Sequence, residues 1–384
     1  MTINIFNTLK QLDKYVKRHD HAGWDPFDGL NSRLFLYSGL SRISFVRLCW
    51  IQLLKHLPIN LRNLTLVPLG RNPKGLALFA SGCIMLNRIQ EARRFLQILD
   101  KIKYSDSDGT AWGYDFPWQA RAFYVPKETP NMVVTTFVAQ AMLDMYEIRG
   151  EEKWLQLARS SCRYIVENLI LEENDRIVCF GYIPGESARI HNANLMGAAL
   201  LGRVFKHTKD LRLYELSEKS VSYTMNALTQ ENMWPYGERV HHSFVDNFHT
   251  GFNLVALKQW MECTGQFEHG PKVQAAYKTY LDVFWLEDGC PKYYHNSLYP
   301  IDIHNSAQGI LTCIFLAEYD DKSLEVAQKI ANWAVKNMQD PEGYFYYQKT
   351  RWYTNKIPYM RWSQAWMFYA LATYLSNKHS LSAG

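Results

Sequence analysis

The chain has 384 residues, 47% hydrophobic and 21% charged, which excludes intrinsic disorder, collagen-like repeats and disulfide-stapled miniproteins. Its 42 basic and 37 acidic side chains leave a formal charge of +5. That excess is too small for a nucleic-acid footprint, yet it allows a mild attraction to anionic sugars or a membrane surface.

The first twenty residues are broken by Lys10, Asp13, Lys14, Lys17 and Arg18, so they do not read as a signal peptide. Residues 1–40, with the Asp25-Pro26-Phe27-Asp28 turn, stand outside the repeat described below and are expected to form an arm over one face. Residues 35–57 are apolar but interrupted by Arg42, Arg47 and Lys55, as in a packed amphipathic helix. No apolar run reaches the length of a transmembrane helix.

From residue 72 the chain repeats. Asn72, Asn131, Asn192, Asn247 and Asn305 each precede or open an apolar helical stretch, and Trp362 stands at the equivalent place in a sixth. The intervals are roughly 55 to 61 residues, the period of a supersecondary array. Each unit starts with a loop rich in Gly, Pro, Tyr and Trp. An apolar helix follows, then a short turn, then a more amphipathic helix. The pattern predicts first helices over 76–86, 133–146, 193–204, 248–261, 306–318 and 363–374. It predicts second helices over 92–102, 154–168, 211–228, 272–285 and 324–338. Leu324, Ala327, Ile330 and Ala331 show the helical spacing. The first helix of each pair is apolar almost all round, as expected for burial on both sides, and the second keeps a polar face for water. Six inner helices and five outer ones leave one place open, which the 41–57 helix is expected to fill. A closed ring exposes no apolar end, whereas an open array exposes two.

This pattern resembles the (α/α)6 toroid, or six-hairpin, superfamily over nearly the whole chain from residue 41. The expected fold is all-α: six inner and six outer helices in one domain over 41–384, with short β-hairpin-like loops at one end. The resemblance implies that the loops before the inner helices converge on one end of a central cavity. Helix N-termini would aim free N–H groups and positive dipole ends there, which favours anionic groups.

Those loops hold the candidate residues. The second has Trp112, Asp115 and Trp118, and the third Tyr182, Glu186, His191 and Asn192. The fourth has Tyr236, Glu238, Arg239, His241, His242, Asp246 and His249. The fifth has Asp302, His304 and Asn305, and the sixth Tyr359, Arg361 and Trp362. Aromatic faces interleaved with small donors and acceptors suit a saccharide, because sugar C–H faces stack on rings while hydroxyls need many polar partners. Arginine adds bidentate reach to a carboxylate. The 234–252 stretch, WPYGE…DNFHTGF, is similar to a motif of six-hairpin proteins encoded with bacterial surface-polysaccharide biosynthesis. PYMRWSQAWM, ending at Met367, is similar to the last inner-helix start of the same group.

Three chemistries fit these residues. Proton abstraction at C5 of a uronic acid, as the fold-level similarity to glucuronyl C5-epimerases and toroid polysaccharide lyases implies, needs a base, an acid and a carboxylate clamp. His249, His191, Tyr236 and Tyr359 are candidate proton carriers, and Arg239 and Arg361 candidate clamps. Glycoside hydrolysis needs two carboxylates. Asp115, Glu186, Glu238, Asp246 and Asp302 are available, although Asp246 and Asp302 also sit where helix caps belong. A sugar 2-epimerase of the N-acylglucosamine type would use paired histidines, here His249 and His304. A non-catalytic glycan-binding role stays open beside these, and the five histidines in three consecutive loops favour an enzyme.

No cofactor is expected, since the phosphate loop GxxxxGK[ST], the dinucleotide GxGxxG and the GxSxG elbow are all missing. No metal is expected, because the spacing of His241, His242, His249 and Asp246 matches no zinc pattern. Seven scattered cysteines without a CxxC pair read as buried thiols of a reducing, cytoplasmic setting. The expected partner is an anionic saccharide and not nucleic acid, with a peripheral contact to the inner membrane or a lipid-linked glycan left open.

Overall fold

The computed structural model describes residues 4–119 and 124–382. Three helices precede the repeat: α1 (Ile5–Arg18), α2 (Arg33–Tyr37) and α3 (Ser44–His56). Five helix pairs follow: α4 (Pro73–Met85) with α5 (Ile89–Lys101), α6 (Met132–Arg149) with α7 (Glu152–Asn168), α8 (His191–Thr208) with α9 (Leu211–Met225), α10 (Asn247–Thr264) with α11 (Gly270–Phe284), and α12 (Ile303–Phe315) with α13 (Ser323–Met338). The last helix among the described residues is α14 (Trp366–Ser382). The even-numbered helices from α4 to α14 pack in sequence, and α14 packs back on α4 to close the ring. The closure is tight: a Cβ on Gly82 of α4 would lie 2.7 Å from the Phe368 ring of α14.

Burial follows the periodicity. Every residue of α4 from Pro73 to Ile84 is buried, and so is α12 from Ile303 to Ile314. Outer helix α5 buries Ala92, Phe95, Leu96 and Leu99 and turns its charges outward. The core therefore lies between the two layers of helices.

The outer helix that closes the ring is α1, not the 41–57 segment. Its Ile5, Leu9, Leu12 and Val16 form one apolar stripe that packs on α14 and α13. The charges that interrupt the sequence there fall on the opposite face. Helix α3 packs instead on the Asp28–Asn31 turn and a short hairpin, and buries only Ile51 and Leu54. Residues between α1 and α4 thus form a cap beside one end of the ring.

Short antiparallel pairs decorate that end. They are β1 (Tyr104–Asp106) with β2 (Gly109–Ala111), β3 (Trp118–Gln119) with β4 (Tyr124–Val125), β5 (Ile170–Glu173) with β6 (Val178–Phe180), and a three-stranded set of β7 (Ile301–Asp302), β8 (Gln348–Lys349) and β9 (Thr354–Asn355). One hydrogen bond recurs around the ring. The backbone N–H that starts an inner helix donates to a carbonyl in the next loop: Met132 to Tyr182, His191 to Tyr236, Asn247 to Tyr293 and Ile303 to Tyr347. Met360, at the start of the sixth unit, donates to Trp24 of the cap. Helix α4 begins with Pro73, which has no N–H to give. Each of these bonds satisfies one orphan helix donor and places an aromatic residue at the mouth of the ring.

Candidate functional site

The asparagines that mark the repeat do different work at each helix. Asn72 and Asn131 are N-caps, whose side chains accept from Lys74 and Val134 backbone N–H groups. Asp246 and Asp302 cap α10 and α12, so Asn247 and Asn305 lie inside those helices. Asn247 fastens the following loop, donating to the Lys292 carbonyl and accepting from the Tyr280 hydroxyl. Asn192 lies inside α8, buried, with its Oδ1 unbonded among the described residues.

The aromatic residues of the mouth form a well. Tyr236 lies 4.5 Å from the His249 ring, and His249 lies 4.0 Å from Phe248. Phe248 stacks on His304 at 4.7 Å and 18°. His304 in turn touches Trp362 at 4.7 Å and Trp366 at 4.4 Å. Trp362 donates its Nε1–H to Asp302 at 3.0 Å. The Arg361 guanidinium lies over Trp362 and over Tyr114, whose hydroxyl meets that of Tyr182 at 3.1 Å. Trp118 stands edge-on to Tyr182. Residues from five separate loops thus meet through one chain of contacts.

Asp246 has two roles. Its Oδ1 accepts the His249 backbone N–H at 3.1 Å, which is the cap. Its Oδ2 lies 2.7 Å from His249 Nδ1. In the neutral imidazole that bond places the proton on Nδ1 and leaves Nε2 as the acceptor. Nε2 has no hydrogen bond to any described residue, and the side chain is 20% exposed. His304 is 1% exposed and both of its ring nitrogens lack a partner among the described residues. Burial, then the positive charges of Lys74 and Arg361, push its pKa well below the ordinary histidine value, so it is neutral at pH 7.

Lys74, absent from the sequence-based candidates, lies deeper still. Its ammonium sits over three rings, 4.2 Å from the centre of Phe137, 5.0 Å from Trp366 and 5.4 Å from Phe252. The residue is 3% exposed, and burial followed by repulsion from Arg361 holds its pKa well below that of a free lysine. The carboxylate that opposes this shift is Asp25, which already binds Arg361 through Nε at 2.6 Å and Nη2 at 2.8 Å. An amino group thus lies on an aromatic floor without an ion pair among the described residues. The same three rings line a second cavity of about 650 Å³ at the opposite end of the inner helices, where Arg203 binds Asp144 and Glu147.

Other candidate residues lie elsewhere. Trp112 is core, 1% exposed, with its Nε1–H on the Leu99 carbonyl. Tyr359 is buried under the cap, where its hydroxyl accepts from Arg62. Asp302 is fully buried and both its oxygens are bonded, by Gln348, Trp362 and the His304 backbone. Glu238 is held by Tyr223 and Arg189, and Arg239 binds Glu186 at the exposed rim. His242 packs edge-on to Tyr236, with His241 against it. Asn305 is fully buried in α12, with its Nδ2–H directed to the Lys292 carbonyl at 3.4 Å. His191 is buried with its pKa lowered to about 4 by desolvation. Asp115 accepts from Asn72 at 2.5 Å, and burial raises its pKa to about 6. It lines a separate cavity of about 480 Å³ between the cap and the ring, with Asp25, Asn72 and Arg361. Among the described residues no cluster of three or more His, Cys, Asp or Glu side chains is placed to hold a metal ion.

No protein-family model and no curated protein matches the sequence. Solved structures do match the fold. A cellobiose 2-epimerase from Bacillus thermoamylovorans superposes with a TM-score of 0.63 at 12% identity, over 81% of this chain and 90% of that one. A GH76 alpha-mannanase from Bacteroides thetaiotaomicron gives 0.59 at 12% identity, over 81% and 86%. A glycosyl hydrolase family 88 protein from Bacteroides vulgatus gives 0.55 at 9% identity, over 80% and 92%. The chain is therefore an (α/α)6 toroid. At such identities the likeness extends to the fold alone, and the chemistry has to be argued from the well.

Proposed function

We propose that this toroid is a saccharide-acting enzyme that works by proton transfer at a sugar carbon, with His249 as the base. The observation that carries the reading is the Asp246–His249 pair, whose ring lies 4.5 Å from Tyr236 in the aromatic well and whose Nε2 is unbonded among the described residues. In this reading Nε2 takes a proton from a carbon beside a carboxylate or carbonyl. The electron pair moves onto that group's oxygen, and positive charge nearby stabilises it. Lys74 is the group suited to that task, because an anion bound beside a desolvated amine favours its charged form. Return of a proton on the other face gives epimerisation, and departure of a leaving group at the next carbon gives β-elimination. The favoured substrate is a uronic-acid-containing or otherwise anionic glycan. The motif similarity to surface-polysaccharide biosynthesis supports O-antigen, capsule or exopolysaccharide as its setting.

The reading gains over hydrolysis because the candidate carboxylates are engaged. Asp302 is a fully bonded cap, Glu186 and Glu238 bind arginines at the rim, and Asp115 lies in the neighbouring cavity. A second reading, 2-epimerisation of a neutral reducing sugar, is favoured by one observation. His249 and His304 both pack against the Phe248 ring, at 4.0 and 4.7 Å.

Incubation in deuterated water tests both. NMR of uronate oligosaccharides and of neutral reducing disaccharides is expected to show deuterium entering one substrate class. His249→Ala is expected to lower the rate by about 10²-fold or more. An unsaturated uronate beside each new reducing end would indicate elimination, new reducing ends with neither deuterium nor unsaturation would indicate hydrolysis, and binding without any of these changes would leave a glycan carrier.

A further inference from the structure

The cap between α1 and α4 is chemically unlike the rest of the molecule. Between Asp28 and Glu91 the chain carries no aspartate or glutamate, whereas arginine and lysine recur throughout. The apolar run at 35–57 reads in sequence as packed, yet the fold leaves most of it in the open. On α3, Phe45, Cys49 and Leu53 lie one turn apart on the exposed side, opposite buried Ile51 and Leu54. Tyr37 is 86% exposed, Phe45 72% and Leu64 73%. The 350–353 turn adjoins this surface, since the Tyr353 hydroxyl donates to the His56 carbonyl at the end of α3, and it exposes Trp352. Arg33, Arg42 and Arg351 are exposed, and none of them forms an ion pair among the described residues.

An apolar surface of this extent needs a cover. Three features point to a bilayer interface. Aromatic and aliphatic side chains are exposed along the whole segment, the charges among them are cationic, and no carboxylate of the segment opposes them. The cap also borders the mouth of the ring: Asn31 donates to the Asp115 carbonyl, and Arg47 binds Gln119 of β3. No helix among the described residues is long and apolar enough to cross a membrane, so contact through this face would be peripheral.

We infer that the α2–α3 cap docks on an anionic lipid bilayer, with Tyr37, Phe45 and Trp352 in the interface and Arg33 and Arg42 against the headgroups. The mouth of the aromatic well then faces the plane of the membrane from its edge. This inference does not depend on the reaction proposed for the well.

Co-sedimentation of the full chain with phosphatidylcholine vesicles, with and without phosphatidylglycerol, tests it. Binding is expected to be about tenfold stronger to the anionic vesicles and to fall as salt rises. Arg33→Gln with Arg42→Gln is expected to abolish that preference, and Tyr37→Ser with Phe45→Ser to weaken binding to both vesicle types about tenfold. All four positions are exposed, so circular dichroism should match the parent chain. Equal partitioning of parent and variants would overturn the inference. So would a parent chain that ignores vesicles but forms a dimer in light scattering which Tyr37→Ser with Phe45→Ser dissociates. That outcome would make the face an interface between two copies.

Discussion

Asp246 shows how one side chain can serve the helix and the site at once. As a cap it needs only an acceptor oxygen, which asparagine supplies equally well. As the partner of His249 it needs a carboxylate that holds the Nδ1 proton. Asp246→Asn therefore separates the roles. Unfolding free energy is expected to change by less than about 0.5 kcal/mol, while turnover falls by about 10²- to 10⁴-fold. Equal loss of stability and activity would reduce Asp246 to a cap. His191 offers a pH test of the buried lining. Its folded pKa of about 4 lies below the unfolded 6.5, so the unfolded chain binds the extra proton first. Its penalty is absent above pH 6.5 and grows as pH falls to about 4, reaching about 3 kcal/mol. Urea midpoints at pH 7 and pH 5 should lie closer together in His191→Gln than in the parent chain. An unchanged gap would mean that this imidazole is not held neutral.

Among the elements, α1 is the one whose role the sequence conceals. Its apolar positions are few and separated by lysines, so a linear reading takes it for an arm. Wrapped as a helix, the same residues make one stripe, and Leu12 and Val16 are fully buried against the ring. Leu12→Ala is expected to cost about 2–5 kcal/mol, as for other buried leucines. Phe6→Ala on the open face of the same helix should cost less than about 0.5 kcal/mol. Comparable midpoints for the two variants in a denaturant titration would show that α1 does not close the seam. The opposite misreading occurs at α3, where a mostly apolar run suggests packing and the fold grants it little. Hydrophobicity along a chain records what needs cover, and only the positions of neighbouring elements decide which segments receive it.

At the scale of the molecule, the ring was legible because its period is long and repeated. Asparagines near the start of five apolar stretches, with Trp362 at the equivalent place in a sixth, mark where inner helices begin, and continuous apolarity separates inner from outer layers. The candidate site was legible in part. Tyr182, Tyr236, Asp246, His249, His304 and Trp362 do meet, since every loop that precedes an inner helix ends at the same mouth. Lys74 was missed because nothing local distinguishes a lysine two residues after a cap from an exposed one. Its signal is the ring of Phe137, Phe252 and Trp366 around it, drawn from three other helices. Trp112, Tyr359 and Asp302 were over-read for the same reason: a loop residue can face the hollow or the core, and spacing does not say which. The sequence by itself determined the alternation of buried and half-buried helices and the kinds of side chain at one end, because period and composition are local properties. Which helix seals the ring, which polar groups lack partners and which apolar surface stays open were decided by tertiary structure, because each depends on residues far apart in the chain sharing one small volume.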